Sequence, residues 1–320
     1  MATKISDDDF IATWRRLQSV TDMANETGIS VRGINARRRK IEKNHGTILN
    51  AASSRSPDFK ISIPENGVRV NVELDSGTIM VASDCHYWPN IISTAHRAFV
   101  LFAETLKPRM IVINGDAFDG ASISRHPPGG TWEATPSVKE ELEACQERLS
   151  EIEAASLNSK LHFLWGNHDQ RFNARLCAQV GEGFKGIMGM NLTDHFPRWK
   201  FSMSLMVNGN CMIKHRYHNG IHAVHNNLIK SGTSFVTGHL HSLRVVPWTN
   251  YLGTSYGVDT GSLADVNGQQ FTYSEDNPRN HRSGFAVLTF YKGKLLPPEL
   301  CEVLDEDEGI IYFRGNVFKV

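Results

Sequence analysis

Residues 109–120 read RMIVINGDAFDG. The apolar core of this stretch, Met110 to Ile113, is too short for a helix and suits a buried strand over Arg109–Asn114. Two carboxylates follow the strand at once, Asp116 and Asp119, in the order Gly-Asp-x-x-Asp. Working outward, the same pattern recurs. Thr78–Ala82 (TIMVA) runs into Asp84 and His86, and Leu161–Trp165 into Gly166-Asn167-His168-Asp169. Cys211–Lys214 runs into His215, and Ser234–Thr237 into Gly238-His239-Leu240-His241.

Side chains two apart on an extended backbone point to the same side. Asp84 and His86 are thereby expected to reach a common ion, and His239 and His241 are again two donors spaced two apart. Donors at the carboxyl ends of successive strands converge on one rim of an α/β sheet. Aspartate, histidine and asparagine without cysteine form a site for borderline divalent metals rather than a thiolate site.

The five blocks in this order resemble the calcineurin-like metallophosphoesterase superfamily, of bacterial or phage type, over about residues 78–265. The resemblance implies two metal ions. Asp84, His86, Asp116 and His241 would hold one, and Asp116, Asn167, His215 and His239 the other, with Asp116 bridging. It implies Mn²⁺ foremost, with Fe or Zn²⁺ as alternatives, and hydrolysis of a phosphate ester by an activated water. His168 would face the leaving group as general acid or electrostatic aid, oriented by Asp119. The fourth block departs from the family pattern of histidine followed by glycine. This chain has His215-Arg216-Tyr217-His218-Asn219-Gly220, so His215 or His218 is the ligand; the strand end favours His215 and leaves His218 for substrate.

Softer candidates surround the blocks. Arg125 and His126, in a proline- and glycine-rich loop, and Arg171, at a helix start, are placed to contact substrate phosphate. Asp259-Thr260-Gly261-Ser262 reads as a turn lining the cleft. Cys85 is expected to pack away from the metals. His96, His222, His225 and His281 carry no partner pattern and read as core or surface histidines.

The first 50 residues read as a small all-α module: helices over 7–19 and 20–27, a stop at Gly28, and a third helix from Ser30 to about His45. This resembles a helix-turn-helix. Its last helix carries Arg32, Arg37, Arg38, Arg39, Lys40 and Lys43, which would meet nucleic-acid phosphates; docking on protein is the other reading. Residues 51–60 read as a linker and 61–320 as an α/β domain, a metallophosphoesterase-type β-sandwich flanked by helices. Glu302–Glu308 reads as an acidic solvated turn.

Lysine plus arginine (34) equal aspartate plus glutamate (34), which removes any whole-chain charge argument for nucleic acid or membrane. The first 60 residues are nevertheless basic, 11 cations against 7 carboxylates. Five scattered cysteines without a CxxC pair suit reduced thiols in the cytoplasm. There is no signal-peptide run and no membrane-spanning stretch. The expectation is a dimetal phosphoesterase acting on nucleic-acid phosphodiesters. The alternatives are a phosphomonoesterase or small-molecule phosphodiesterase with a docking module, and a DNA-binding regulator on an inactive scaffold.

Overall fold

The computed structural model describes residues 5–45, 49, 59–62, 68–124, 135–274 and 279–320. It divides into two compact units, Met1–Phe59 and Lys60–Val320.

The first unit holds helices α1 (Asp7–Leu17), α2 (Val20–Thr27) and α3 (Val31–His45). Each begins where a serine hydroxyl can take an otherwise unpaired N–H. Ser6 accepts from Asp9, Ser19 from Asp22, and Ser30 from Gly33. Three aspartates in the first turn of α1 favour its positive end. Gln18 turns left-handed (φ 49°) and stops α1 short of Ser19, and Gly28 (φ 67°) stops α2. Phe10, Trp14, Met23, Ile34 and Ile41 form the core. Two of the six expected phosphate contacts serve this unit itself. Arg37 pairs with Asp7 and lies over the Phe10 ring; Arg38 lies over Trp14 and near Glu42. Arg32, Arg39, Lys40 and Lys43 are exposed.

The second unit is built on two mixed sheets. One runs β1 (Phe59–Ser62), β2 (Arg69–Leu74), β7 (Ser204–Val207), β8 (Cys211–Ile213), β9 (Ser234–Thr237), β11 (Gly253–Asp259), β10 (Arg244–Asn250). The other runs β16 (Asn316–Lys319), β15 (Ile310–Phe313), β14 (Glu299–Asp305), β12 (Gly284–Tyr291), β3 (Gly77–Ala82), β4 (Met110–Ile113), β5 (Lys160–Leu164), β6 (Lys200–Ser202), with β13 (Lys294–Leu295) beside β12. Strands β3 to β6 are parallel. Parallel neighbours need long crossovers, which α4 (Thr94–Leu106) and α5 (Val138–Ala155) supply. α6 (Asp169–Val180) and α7 (Ala223–Ser231) follow β5 and precede β9.

Met80, Ala82, Ile111, Ile113 and Phe163 share a core with Phe99, Phe102 and Leu149 of α4 and α5. The alternate residues Ile79, Val81, Met110 and Val112 are also fully buried, so this sheet is covered on both faces. Cys85 joins the helix-side core, as expected. The acidic run is a correction. Glu302–Asp305 lie in β14, where Cys301 faces the core and Glu302 pairs with Arg282; the turn begins at Glu306.

α5 opens with a reciprocal cap: Ser137 Oγ accepts from the Glu140 N–H, and Glu140 accepts from the Ser137 N–H. Ser137→Ala is expected to lower stability by about 1 kcal/mol, read as a shifted urea midpoint. An unchanged midpoint would contradict the role of this cap.

Candidate active site

The ends of β3, β4 and β5 meet those of β8, β9 and β11. Ser83, just past β3, hydrogen-bonds Thr260, just past β11, at 2.6 Å. The ring of His215 hydrogen-bonds the Asn114 carbonyl through Nδ1 at 2.7 Å. Three groups of donors converge at this seam: Asp84, His86 and His241; Asp116, His215 and His239; and His86, Asp119 and His168.

The reason for the convergence is not the extended backbone that the spacing suggested. Asp84, His86, Asp116, His239 and His241 all have positive φ, from 39° to 71°. Side chains with a Cβ rarely adopt this region, and such strain concentrates at functional sites. Close approach does the rest. A Cβ on Gly166 would lie 2.0 Å from Asp116 Oδ1, and one on Gly238 would lie 2.4 Å from Asp84 Oδ2. Asp169 ties two blocks together. Its buried carboxylate accepts N–H bonds from Asp116, Ala117, Phe118 and Gly166 at 2.7–3.1 Å. Asp259 does the same for the last block, accepting from Ser242 and Gly261.

Asp84 Oδ1 is 3.0 Å from His241 Nε2, and Asp84 Oδ2 accepts from the His239 N–H at 2.7 Å. Asp116 Oδ2 is 3.1 Å from His215 Nε2, and its Oδ1 accepts from the His168 N–H at 2.8 Å. Asp119 Oδ1 is shared by the Nδ1 atoms of His86 (2.8 Å) and His168 (2.6 Å). The expectation that Asp119 orients His168 thus gains a second ring. Arg171 donates to the Asp119 carbonyl (2.8 Å) and to His168 Nε2 (3.1 Å). A guanidinium only donates, so His168 Nε2 accepts and Nδ1–H donates to Asp119.

Burial opposes ionisation of Asp84, yet His241 and His215 outweigh it and hold the carboxyl well below the usual range. Burial likewise opposes charge on His215, but Asp116 and Asp84 push its pKa up to about 10. The carboxylates therefore draw positive charge strongly into the seam. His86 Nε2 and Asn167 Oδ1 are buried and make no hydrogen bond. Unpaired buried donor atoms beside two carboxylates fit divalent cations, and the O/N donor set fits them chemically.

His215 stands in this cluster. His218 stands in none of the three groups: its N–H donates to Asn227 Oδ1 and its ring lies against Tyr217. Arg125 and His126 lie outside the described residues. Two residues beside the site escaped the sequence. The His281 ring is 4.6 Å from that of His241, and Phe271 lies 5.3 Å from His86. Neither belongs to a motif, and both come from beyond the last block. His96 is the core histidine expected, between Tyr87 and Glu151.

A family model described as calcineurin-like phosphoesterase matches residues 77–282. The chain belongs to the calcineurin-like phosphoesterase family. This phosphoesterase is a hydrolase acting on phosphate ester bonds, in a family that uses divalent metals, and its two-sheet unit is the metallophosphoesterase fold preceded by a helical module. It is similar to the Gene 54 protein of Mycobacterium phage L5, 24% identical over 243 residues, covering 70% of this chain and 92% of that protein. Among solved structures it is similar to an archaeal phosphodiesterase (14% identity, TM-score 0.35, 70% of this chain and 99% of that one). It is also similar to Yfce, a phosphoesterase from E. coli (16%, TM-score 0.34, 69% and 97%). No described helix is long and apolar enough to cross a membrane.

Proposed function

We propose that this phosphoesterase hydrolyses nucleic-acid phosphodiesters in the cytoplasm with two divalent ions, Mn²⁺ foremost and Fe or Zn²⁺ as alternatives. The observation that carries the reading is the seam itself: two donor groups side by side, with His168 and Arg171 at their edge. Asp84, His86, Asp116 and His241 would hold one ion, and Asp116, Asn167, His215 and His239 the other. Bound there, two divalent ions would supply Lewis-acid charge for the phosphate ester and for activating water.

The chain's own residues do the positioning. Asp119 fixes the rings of His86 and His168 through one oxygen, so a ligand and the leaving-group histidine keep a set spacing. His168 Nε2 accepts from Arg171 here, so protonating the departing alkoxide requires that this nitrogen first take up a proton and give up that contact. Arg171, 3.1 Å from that atom, supplies a fixed positive charge for the same oxygen.

Nucleic acid is favoured by the helical module. Arg32, Arg39, Lys40 and Lys43 are exposed on α3, and four phosphate contacts give a slope of about −3.6 in log affinity against log salt. The test is cleavage of end-labelled single- and double-stranded DNA with Mn²⁺ at low salt, with the His168→Gln protein as control for contaminating nuclease. Cutting by wild type alone, with binding that weakens along that slope, supports the reading. No cutting, beside hydrolysis of small esters, rejects it in favour of a small-molecule or monoester phosphatase with a docking module.

A further inference from the structure

Beyond the metal-side donors, the seam opens into a trough. A cavity of 410 Å³ begins at Asn167 and His215 and is walled by Trp165, Gln170, Arg216 and Tyr217. A second, of 690 Å³, shares Met203, Lys214 and Tyr217 with it and continues to Arg69 and Phe235. Each is large enough for a nucleotide-sized group. Among the described residues, no carboxylate lines either cavity, while Arg216, Lys214 and Arg69 follow one another along the path. A row of cations with no carboxylate among the described lining residues suits a ligand with repeated negative charge, not a peptide of mixed charge.

Tyr217 stands where the two cavities join. Its ring is stacked on Phe235 (centroids 5.4 Å, planes 21° apart), yet 46% of the residue is exposed. Lys214 Nζ lies 5.9 Å from the ring centre. The His218 ring also touches it, with centroids 4.2 Å apart and planes tilted by 52°, so the exposed part of the Tyr217 ring is what a base can meet. An exposed aromatic flanked by cations is how proteins hold an unpaired base while tracking its backbone. The amides of Gln170 and Asn219 add donors and acceptors to the inner cavity.

We infer that this trough binds a single strand of nucleic acid next to the scissile phosphate, with a base on Tyr217 and the flanking phosphates on Lys214, Arg216 and Arg69. The inference rests on the nucleic-acid reading above and makes its substrate single-stranded at the point of cleavage.

The test compares kcat/KM for an oligothymidylate with kcat/KM for bis(4-nitrophenyl) phosphate, which is too small to span the trough. Loss of one base–aromatic stack is expected to lower the oligonucleotide-to-small-ester ratio about tenfold or more in Tyr217→Ala, chiefly through KM. Tyr217→Phe keeps the stack and is expected to restore the ratio to within about threefold of wild type. Lys214→Gln is expected to lower the ratio and to flatten its dependence on salt. A ratio that stays at the wild-type value in both Tyr217→Ala and Lys214→Gln overturns the trough while leaving nuclease activity in place. Wild-type hydrolysis of the small ester with none of the oligonucleotide overturns the nucleic-acid reading, and the strand site with it.

Discussion

Asp116→Asn protein is expected to fold and to bind divalent metal at least about 10²-fold more weakly than wild type, the upper end of what losing a supporting ligand partner costs. Asparagine is the informative replacement because space forbids others. The Asp116 carboxylate is buried against Gly166, whose missing side chain makes its room. The amide keeps the shape and an oxygen to accept the His168 N–H, which is 2.8 Å from Oδ1. What it loses is the charge beside His215 Nε2, 3.1 Å away, and the charge proposed to bridge both ions. Elemental analysis after dialysis should therefore find both ions depleted, with turnover falling alongside. Wild-type metal content would refute the bridging role; loss of one ion alone would confine Asp116 to one half of the site.

The second large effect separates chemistry from metal binding. His168→Gln is expected to retain its metal and to lose about 10²–10⁴-fold in turnover, the usual range when a general acid–base is removed. The hydrogen bonds explain why both should hold. His168 Nδ1 is committed to Asp119 Oδ1 at 2.6 Å, and its Nε2 is the atom left facing Arg171 and the edge of the site. Glutamine can fill the space and touch Asp119, but it cannot carry a proton to the leaving oxygen. Parallel measurements of metal content and of hydrolysis with good and poor leaving groups check this. The deficit should be largest for the poor one. Loss of metal in this variant would make His168 a ligand, and equal loss across leaving groups would remove it from proton transfer.

Much of the site was legible because each donor block follows a buried strand. Apolar runs such as Met110–Ile113 mark the strand, and the polar residues after it have no packing reason to be there. His215 was harder, since its block lacks the expected glycine; the Asn114 carbonyl that holds its ring comes from 101 residues away. The mechanism of convergence was invisible. Nothing in Asp84-Cys85-His86 announces positive φ at both ends, because only the neighbouring backbone imposes it. His281, Phe271 and the trough were hidden for a related reason: they are assembled by tertiary contact, without a period or motif. In the fold, β14 was masked by its composition. Glu302 and Asp305, continued by the acids of the following turn, made a half-exposed strand read as a turn, although Cys301 and Val303 pack on the core. On the basic helix α3, the packing of Arg37 and Arg38 over the rings of Phe10 and Trp14 was likewise a tertiary contact that the charge pattern did not show.

The most direct test is a metal titration. Protein stripped with chelator is titrated with Mn²⁺ while hydrolysis of bis(4-nitrophenyl) phosphate is followed. No activity is expected at the start, then a rise that saturates at two equivalents per chain. Activity that persists without metal, or that is complete at one equivalent, would contradict the two-ion site.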